Sequence, residues 1–322
     1  MRSLRNASIA ILLGLLSAPC LLAAAAALLG QLGRWSLAWD VLNHFAPIWL
    51  AGSLAGVALG LMVHGRARWL VCAFCLAGAT ASASTIAPEY LRDTGRTAPT
   101  GVQGLKIVQF NGWFGNPQVR RVLAFLREED PDIVVLQEVS PPVRAALRRQ
   151  RNWAMSCPDC EVVILTKQRP FAVARIGTAT RVRLHGADGD FTMIGVHNAW
   201  PTDADQVIQE TRLASLLAEE TAATTIVAGD FNSTPWSFAR RRWDHVFGLL
   251  RRDRGVASWP TGRLPVLNAP APIPLLPIDH VYAGDHWATE AVRRGPRGIG
   301  SDHYPLIVTL SARVADDGAR RR

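Results

Sequence analysis

Charged side chains are scarce before about Ala87, and lysine is almost missing from the whole chain, Lys106 and Lys167 being the only two among 35 basic residues. The first scarcity excludes an ordinary water-soluble fold for the N-terminal third, because a small core cannot cover uncharged runs of that length. The second makes the net charge of +9 an arginine charge. Clusters at Arg240, Arg241, Arg242 and at Arg251, Arg252 could attract phosphate-bearing partners. No aromatic-basic nucleic-acid module accompanies them, so an arginine-decorated solvated surface is the plainer reading. Cysteine is sparse as well. Cys157-Pro158-Asp159-Cys160 lacks the second pair that a structural zinc site needs, which leaves a short-loop disulfide or two free thiols. Cys20, Cys72 and Cys75 fall in apolar runs and read as small buried residues.

What fills the N-terminal third is three apolar runs, Ser8 to Gly30, Val41 to Val63 and Ala67 to Ala87. Each can cross a hydrocarbon core of about 30 Å at about 1.5 Å per residue. A signal peptide, with Arg2 and Arg5 as its basic start, would explain the first run and leave the other two unexplained. Arg2 and Arg5 precede the first run and His64, Arg66 and Arg68 crowd the turn between the second and third, whereas the first turn holds Arg34 offset by Asp40. The positive-inside rule then places the N-terminus in the cytoplasm, and three crossings deliver the rest of the chain to the extracytoplasmic side of the cell (inner or plasma) membrane. The third run is rich in Ala, Ser and Thr; without its crossing the sidedness inverts. The expected organisation is a membrane anchor over 1–93 with helices at about 8–30, 41–63 and 67–87, a Pro/Gly/Thr-rich linker over 94–104, a catalytic domain over 105–312 and a disordered basic tail over 313–322.

From Leu105 onward the pattern changes to short β-rich runs alternating with helical ones. Leu105 to Phe110, Ile133 to Leu136, Val162 to Leu165, Phe191 to Val196, Thr225 to Val227 and Leu306 to Leu310 are strand candidates, and Pro117 to Glu129 and Asp203 to Glu220 are helix candidates. The prolines of Trp259 to Pro277 preclude a regular helix and suggest a substrate-facing loop. Nearly every strand ends on a carboxylate, amide or imidazole, which converges functional groups at one edge. The motifs are Phe110-Asn111, Leu136-Gln137-Glu138, Val196-His197-Asn198, Gly229-Asp230-Phe231-Asn232, Ile278-Asp279-His280 and Gly300-Ser301-Asp302-His303-Tyr304-Pro305.

With these six motifs in this order, the segment from about Leu105 to Leu310 resembles the endonuclease/exonuclease/phosphatase family, which includes pancreatic-type deoxyribonucleases, apurinic endonucleases, inositol-phosphate phosphatases and neutral sphingomyelinases. The resemblance implies an α/β fold, a four-layer α-β-β-α sandwich of the deoxyribonuclease I type, here preceded by three transmembrane helices. It implies phosphoester hydrolysis with a hard divalent cation, Mg²⁺ or Mn²⁺, which suits carboxylate, amide and water ligands. Glu138 is the first ligand expected, with Asn111 beside it and Asp302 as a third ligand or a supporting group. Asp230 is implied as the group that orients or deprotonates the attacking water, and Asn232 as a phosphate contact on a turn that also caps a following helix near Pro235. His303 is implied to pair with Asp279, which fixes its tautomer and favours the imidazolium. His197 would face the phosphate from another strand, with Glu161 the candidate carboxylate behind it. His185, His245, His280 and His286 read as structural.

Family resemblance spans several substrates, so the tether is the informative clue. A domain held to the bilayer by a short linker stays near head-groups, which raises the effective concentration of a lipid-linked phosphate. Three spans followed by this domain are also similar to bacterial membrane proteins associated with glycopeptide resistance, which implies a lipid-linked pyrophosphate. The second reading is an extracytoplasmic nuclease with nucleic acid as substrate, and the third a catalytically dead binding domain, against which the full set of acidic and imidazole positions argues. Trp113, Trp200, Trp236 and Trp259 would stack on bases in the one case or meet a membrane surface in the other. The membrane and a phosphate-bearing substrate are the partners expected, with no obligate protein partner. Sidedness is directly measurable: a reporter that is active only outside the cytoplasm, fused after Arg313, scores positive, and a cytoplasmic score means an even number of crossings.

Overall fold

Three apolar helices form where charge is missing. The computed structural model describes residues 2–62, 65–99, 104–264 and 269–312, which separate into two units. The expected basic tail 313–322, His64 and residues 100–103 of the linker lie outside the described residues, as do residues 265–268.

The helical unit comprises the chain to Arg92 and residues 235–242. Its elements are α1 (Arg2–Gly30), α2 (Leu37–Asp40), α3 (Ala46–Met62) and α4 (Ala67–Leu91). Three stretches, Leu16–Arg34, Leu37–Met62 and Ala67–Leu91, are long and apolar enough to cross a membrane. Residues Val41–Phe45 form a 3₁₀ turn, so regular helix begins at Ala46 rather than Val41. Close packing rests on small residues: a Cβ on Gly78 would stand 2.5 Å from the Ala24 Cα. Cys20 and Cys75 are buried free thiols in this packing, as small residues of an apolar run should be. Nothing in the composition of 235–242, which carries three arginines, marks it for this unit.

The second unit holds residues 93–234 and the chain from Trp243. In order its elements are β1 (Leu105–Asn111), α5 (Val119–Glu129), β2 (Ile133–Gln137), α6 (Pro141–Leu147), β3 (Ala154–Ser156), β4 (Val162–Thr166), β5 (Ala172–Ile176), β6 (Ala179–Gly186), β7 (Gly189–His197), α7 (Ala204–Ala218) and β8 (Thr225–Asp230). Then follow α8 (Phe238–Phe247), which starts within the helical unit, β9 (Leu250–Arg251), β10 (Gly262–Leu264), β11 (Ala269–Ala271), β12 (Asp279–Ala283), β13 (Trp287–Arg294) and β14 (Leu306–Ala312). All six strand candidates and both helix candidates are elements of the fold. Among the described residues of 259–277 there is no helix; β10 and β11 pair as a short ribbon there.

One six-stranded sheet has the order β13-β14-β1-β2-β4-β3 and the other β5-β6-β7-β8-β12-β9. Their central strands are near-continuous apolar runs because both faces are covered. Ile107, Val135, Ile164, Met193, Ala228, Val281 and Val308 fill the space between the sheets. Val122, Phe125 and Leu126 of α5 and Val143 and Leu147 of α6 cover the outer face of the first sheet. Leu213, Leu216 and Leu217 of α7, with Trp243 and Phe247 from the end of α8, cover the second. The result is the four-layer α-β-β-α sandwich. Cys157 and Cys160 are joined by a disulfide in the loop before β4.

Register does the positioning. β1 runs parallel to β2 with Asn111 opposite Gln137, and β7 runs parallel to β8 with His197 opposite Asp230. β12 runs antiparallel to β8 with Asp279 opposite Asp230. Side chains in register point to the same face, so His197, Asp230 and Asp279 stand side by side at one edge of one sheet. Gly195 sets the sheet separation, since a Cβ there would stand 2.6 Å from Val162 Cγ1 and 2.8 Å from Val135 Cγ1. Gly195→Ala is therefore expected to destabilise the fold by about 1–3 kcal/mol through overpacking. Thermal denaturation of the detergent-solubilised chain measures this, and an unchanged midpoint would show that the sheets can separate freely.

Candidate active site

The end of β1 supplies two amides, Gln109 and Asn111, which project to the same face because they are two residues apart on a strand. Both reach the second sheet. Asn111 Nδ2 donates to Glu138 Oε1 at 2.9 Å and to Asp230 Oδ2 at 3.0 Å, while Gln109 Nε2 donates to Asp279 Oδ1 at 2.7 Å and to Gln137 Oε1 at 3.0 Å. Asn111, Asp230 and Asp279 are buried. Glu138 follows β2 in the left-handed region at φ 48°, and Asn232 does the same after β8 at φ 49°. For residues with a Cβ that conformation costs roughly 1–3 kcal/mol and persists only where the surroundings hold it. At Asn232 the Asx turn donates its amide to Asp230 Oδ1 at 2.8 Å, and Nδ2 donates to the Asn198 carbonyl at 2.8 Å.

Two imidazoles face these carboxylates. His303 Nδ1 lies 2.9 Å from Asp279 Oδ2, and its Nε2 lies 3.7 Å from Asp230 Oδ2. Its backbone is fixed by Ser301, whose hydroxyl donates to the Asn111 carbonyl and accepts from the His303 amide. His197 Nδ1 lies 2.8 Å from Glu161 Oε1, and its Nε2 is 3.5 Å from Glu138 Oε1 and 4.0 Å from Asp230 Oδ2. The carboxylate behind His197 is thus Glu161. Asp302 points elsewhere, accepting the Trp259 indole N–H on Oδ2 at 3.2 Å. The structure gathers Asn111, Glu138, His197, Asp230, Asn232, Asp279 and His303, with Asp302 at the margin.

Electrostatics follow from this geometry. Burial works against a proton on His303, but the charges of Asp279 and Asp230 outweigh it and lift the imidazolium to about 10. The same contest raises His197, where burial is overcome by the hydrogen bond to Glu161 and the charges of Asp230 and Glu138. Its hydrogen bond with His197 in turn lowers Glu161. Burial raises Asp230 and the neighbouring charge of Asp279 adds to it, against the opposing pull of the two imidazoles. A carboxylate raised toward neutrality beside two proton-holding imidazoles is an arrangement for moving a proton to and from an anionic substrate.

Among the described residues no lysine or arginine forms an ion pair with Glu138, Asp230 or Asp279. The half-exposed Glu138 carboxylate and Asp230 bring hard oxygens together at the Asn111 side-chain N–H₂, whose own Oδ1 accepts from the Trp113 amide and would have to turn inward to join them on a cation. That donor set fits Mg²⁺ or Mn²⁺. Ligand atoms of Asp230, Asp279 and His303 also lie within 4.8 Å of one another, but they are spent on the His303 imidazolium, which makes them the poorer cation site.

Sequence reasoning missed Gln109, Gln137 and Ser301, although the i, i+2 spacing of Gln109 to Asn111 was a readable signal. It also misread three of the clustered arginines: Arg240, Arg251 and Arg252 are buried rather than a solvated surface, while Arg242 is exposed. Arg251 pairs with Asp244 and Asp253, and Arg252 donates to the carbonyls of Ala283 and Gly284. A guanidinium whose stem packs against apolar neighbours and whose head finds fixed acceptors can be interior, and clustering in sequence does not report that. His280 is structural as expected, buried between Asp253 and the Ser233 carbonyl.

The family model described as the Endonuclease/Exonuclease/phosphatase family matches residues 108–303, well over half of the chain. A family protein from Bacteroides thetaiotaomicron is 13% identical over 66% of this chain and 99% of its own, with a TM-score of 0.52. One from Leptotrichia buccalis is 12% identical over 64% and 99%, with a TM-score of 0.51. The human Nocturnin catalytic domain with bound sulfate anion is 15% identical over 70% and 98%, with a TM-score of 0.50. These share the fold. No curated protein matches the chain.

The raised His303 has a measurable consequence. Its folded value of about 10 lies above the 6.5 of an ordinary histidine, so its proton stabilises the fold fully below about pH 6.5, and that stabilisation is lost as pH rises through 10. At pH 8, without added metal, ¹⁵N-histidine NMR is expected to show an imidazolium at His303 that becomes neutral in Asp279→Asn. A neutral ring at pH 8 in the parent would refute the assignment.

Proposed function

Because the chain belongs to the endonuclease/exonuclease/phosphatase family, whose members are hydrolases acting on phosphoesters, we propose that it is a membrane-tethered, divalent-metal-dependent phosphoester hydrolase that acts on a lipid-linked phosphate or pyrophosphate at the extracytoplasmic membrane face. The observation that carries this reading is the meeting of Glu138, Asp230 and two imidazoles whose protonated forms are favoured, with no lysine or arginine partner among the described residues, on a chain with three membrane-length helices.

Asp230 is the base, since burial and Asp279 raise it toward the range where it accepts a proton from water. The Nε2 of His303 donates to a phosphoryl oxygen, and Asp279 holds the ring in that orientation and charge state. His197 donates from the neighbouring strand with Glu161 behind it. Asn232 holds the turn through one amide N–H and offers the other to phosphate. Glu138 and Asn111 would hold Mg²⁺ or Mn²⁺, with Asp302 contributing through Trp259 and its field on His303. When bound, the ion offsets the negative charge of the phosphoryl group.

The crossing of the third apolar run has support independent of its composition. Within the helical unit, Trp236 Nε1 donates to the His44 carbonyl at 3.2 Å, so residues 235–242 sit with the loop between the first two apolar helices. Those residues come after the third helix in the chain, which requires both later helices to cross or neither. Both are long and apolar enough to cross. The nuclease reading loses Arg240, Arg251 and Arg252 to the interior, and Trp236 and Trp259 are buried rather than open to bases. Trp113, Phe114 and Trp200 remain exposed on the loops after β1 and β7.

The purified full chain with Mg²⁺ or Mn²⁺ is expected to hydrolyse a polyprenyl pyrophosphate faster than a phospholipid, DNA or an inositol phosphate. A chelator abolishes turnover reversibly, and Glu138→Ala abolishes it without moving the thermal midpoint, because a ligand lost from an accessible cation opens no core. Preferred hydrolysis of DNA would replace the lipid reading with the nuclease one.

A further inference from the structure

The Cys157–Cys160 disulfide closes the turn between β3 and β4, and the residue that follows it is Glu161, the carboxylate behind His197. Glu161 has little else to hold it. Its side chain is 45% exposed, and among the described residues its one hydrogen-bond partner is His197 Nδ1 at 2.8 Å. An exposed pair of this kind gains little more than the rotamer freedom it gives up, so the backbone has to present the carboxylate in the right place. The turn is built for that. Inside the closed loop the Cys160 amide donates to the Cys157 carbonyl at 3.0 Å, and Cys157 takes the left-handed conformation at φ 50°. From α6, Arg144 Nη1 donates to the carbonyls of Pro158 and Cys160, the latter at 3.1 Å. Cys160 is buried, and Val162 enters β4 opposite Gln137 of β2. Glu161 is the one residue between this cross-linked turn and the strand.

What the turn fixes is a ring. A carboxylate only accepts, so Nδ1 of His197 carries a proton and its Nε2 is turned toward the site, 3.5 Å from Glu138 Oε1 and 4.0 Å from Asp230 Oδ2. We propose that the Cys157–Cys160 disulfide, with Arg144, is a positioning element of the reaction site: it presents Glu161 to His197 and thereby aims Nε2 at the substrate, so that opening the bridge slows turnover while the sandwich stays folded. This rests on the reading of His197 as a donor to the phosphoryl group. The bridge joins residues three apart in sequence, so it constrains little of the unfolded chain and contributes less to global stability than a bridge across a long loop. Its opening is a thiol exchange. A thiolate of dithiothreitol attacks the sulfur of Cys157, the less buried of the two; Cys160 leaves as a thiolate and takes a proton; the second thiol of the reagent then displaces Cys157 and closes the reagent to its cyclic disulfide.

The test uses the full chain in detergent with Mg²⁺ and the soluble diester bis(p-nitrophenyl) phosphate, assayed before and after dithiothreitol, together with ¹⁵N-histidine NMR. The other cysteines, Cys20, Cys72 and Cys75, are free thiols that the reagent leaves unchanged. Reduction is expected to lower kcat by about 10-fold with KM within about twofold and to speed solvent exchange of the His197 Nδ1–H, and reoxidation restores both. The double substitution Cys157→Ser, Cys160→Ser matches the reduced parent. In Glu161→Ala, kcat is already low and reduction changes it by less than about twofold, because the bridge acts through a carboxylate that is gone. A fall by the same factor in both backgrounds would mean a general structural role and overturn the proposal, as would unchanged kcat in the reduced, folded parent. Should the reduced chain unfold, Arg144→Gln loosens the turn with the bridge closed and is expected to move both readouts the same way by a smaller factor; unchanged readouts there defeat the idea. If the oxidised parent does not hydrolyse the diester, the functional reading fails on this probe, and Nδ1–H exchange alone decides: faster on reduction supports the positioning of the ring, equal to the oxidised protein refutes it.

Discussion

Two buried aspartates on adjacent strands of one sheet have to be satisfied from the other sheet, and most of what surrounds the site answers that constraint. Asp230 and Asp279 face one another in register across β8 and β12, where two like charges cannot both stay ionised without compensation. The compensation comes from β1 of the opposite sheet, through Gln109 and Asn111, and from His303. The sandwich therefore cannot slide one sheet over the other without stranding a buried carboxylate, which couples the register of the fold to the geometry of the site. Ser301 adds to this by tying the His303 loop to the same Asn111 whose side chain spans the gap.

The charge left over at the edge is suited to an anion with a cation beside it. The carboxylates around His303 and His197 outweigh burial and favour their protonated forms, while Glu138 at the half-exposed rim faces His197 and accepts from the Asn111 amide. A phosphate entering from solvent meets imidazole donors on one side and, on the other, the Glu138 carboxylate, which has no lysine or arginine partner among the described residues. The carboxylate would repel it unless a divalent ion intervened, which is the physical reason that substrate and cation belong together in such a site.

The helical unit is more than a length of apolar chain. It closes on small residues, buries the Asp40 carboxylate, and uses it to cap the start of α8 by accepting from the Phe238 and Ala239 amides. Three of the clustered arginines are spent inside, Arg240 being buried and Arg251 and Arg252 being held on carboxylates and carbonyls. Net charge here is a poor guide to partners, because a buried, paired guanidinium creates little field outside.

The sequence by itself determined the apolar helices, the strands that are near-continuous runs of branched residues, and the residue types at strand ends, because these are local: hydrophobic length and period are properties of consecutive residues. It named Asn111, Glu138, His197, Asp230, Asn232, Asp279 and His303 as candidates, and the structure brings them together. It did not reveal strands such as β5 and β13, whose mixed exposure blurs the alternation, nor the parts played by Gln109 and Ser301, whose polar side chains read like many others. Which carboxylate backs His197, which arginines are interior, that Asp302 serves Trp259, and that Asp40 caps α8 were decided only by the tertiary structure. Each depends on groups from distant parts of the chain arriving within hydrogen-bond reach, and a hydrogen bond formed across 36 or nearly 200 residues leaves no periodicity in the sequence between them.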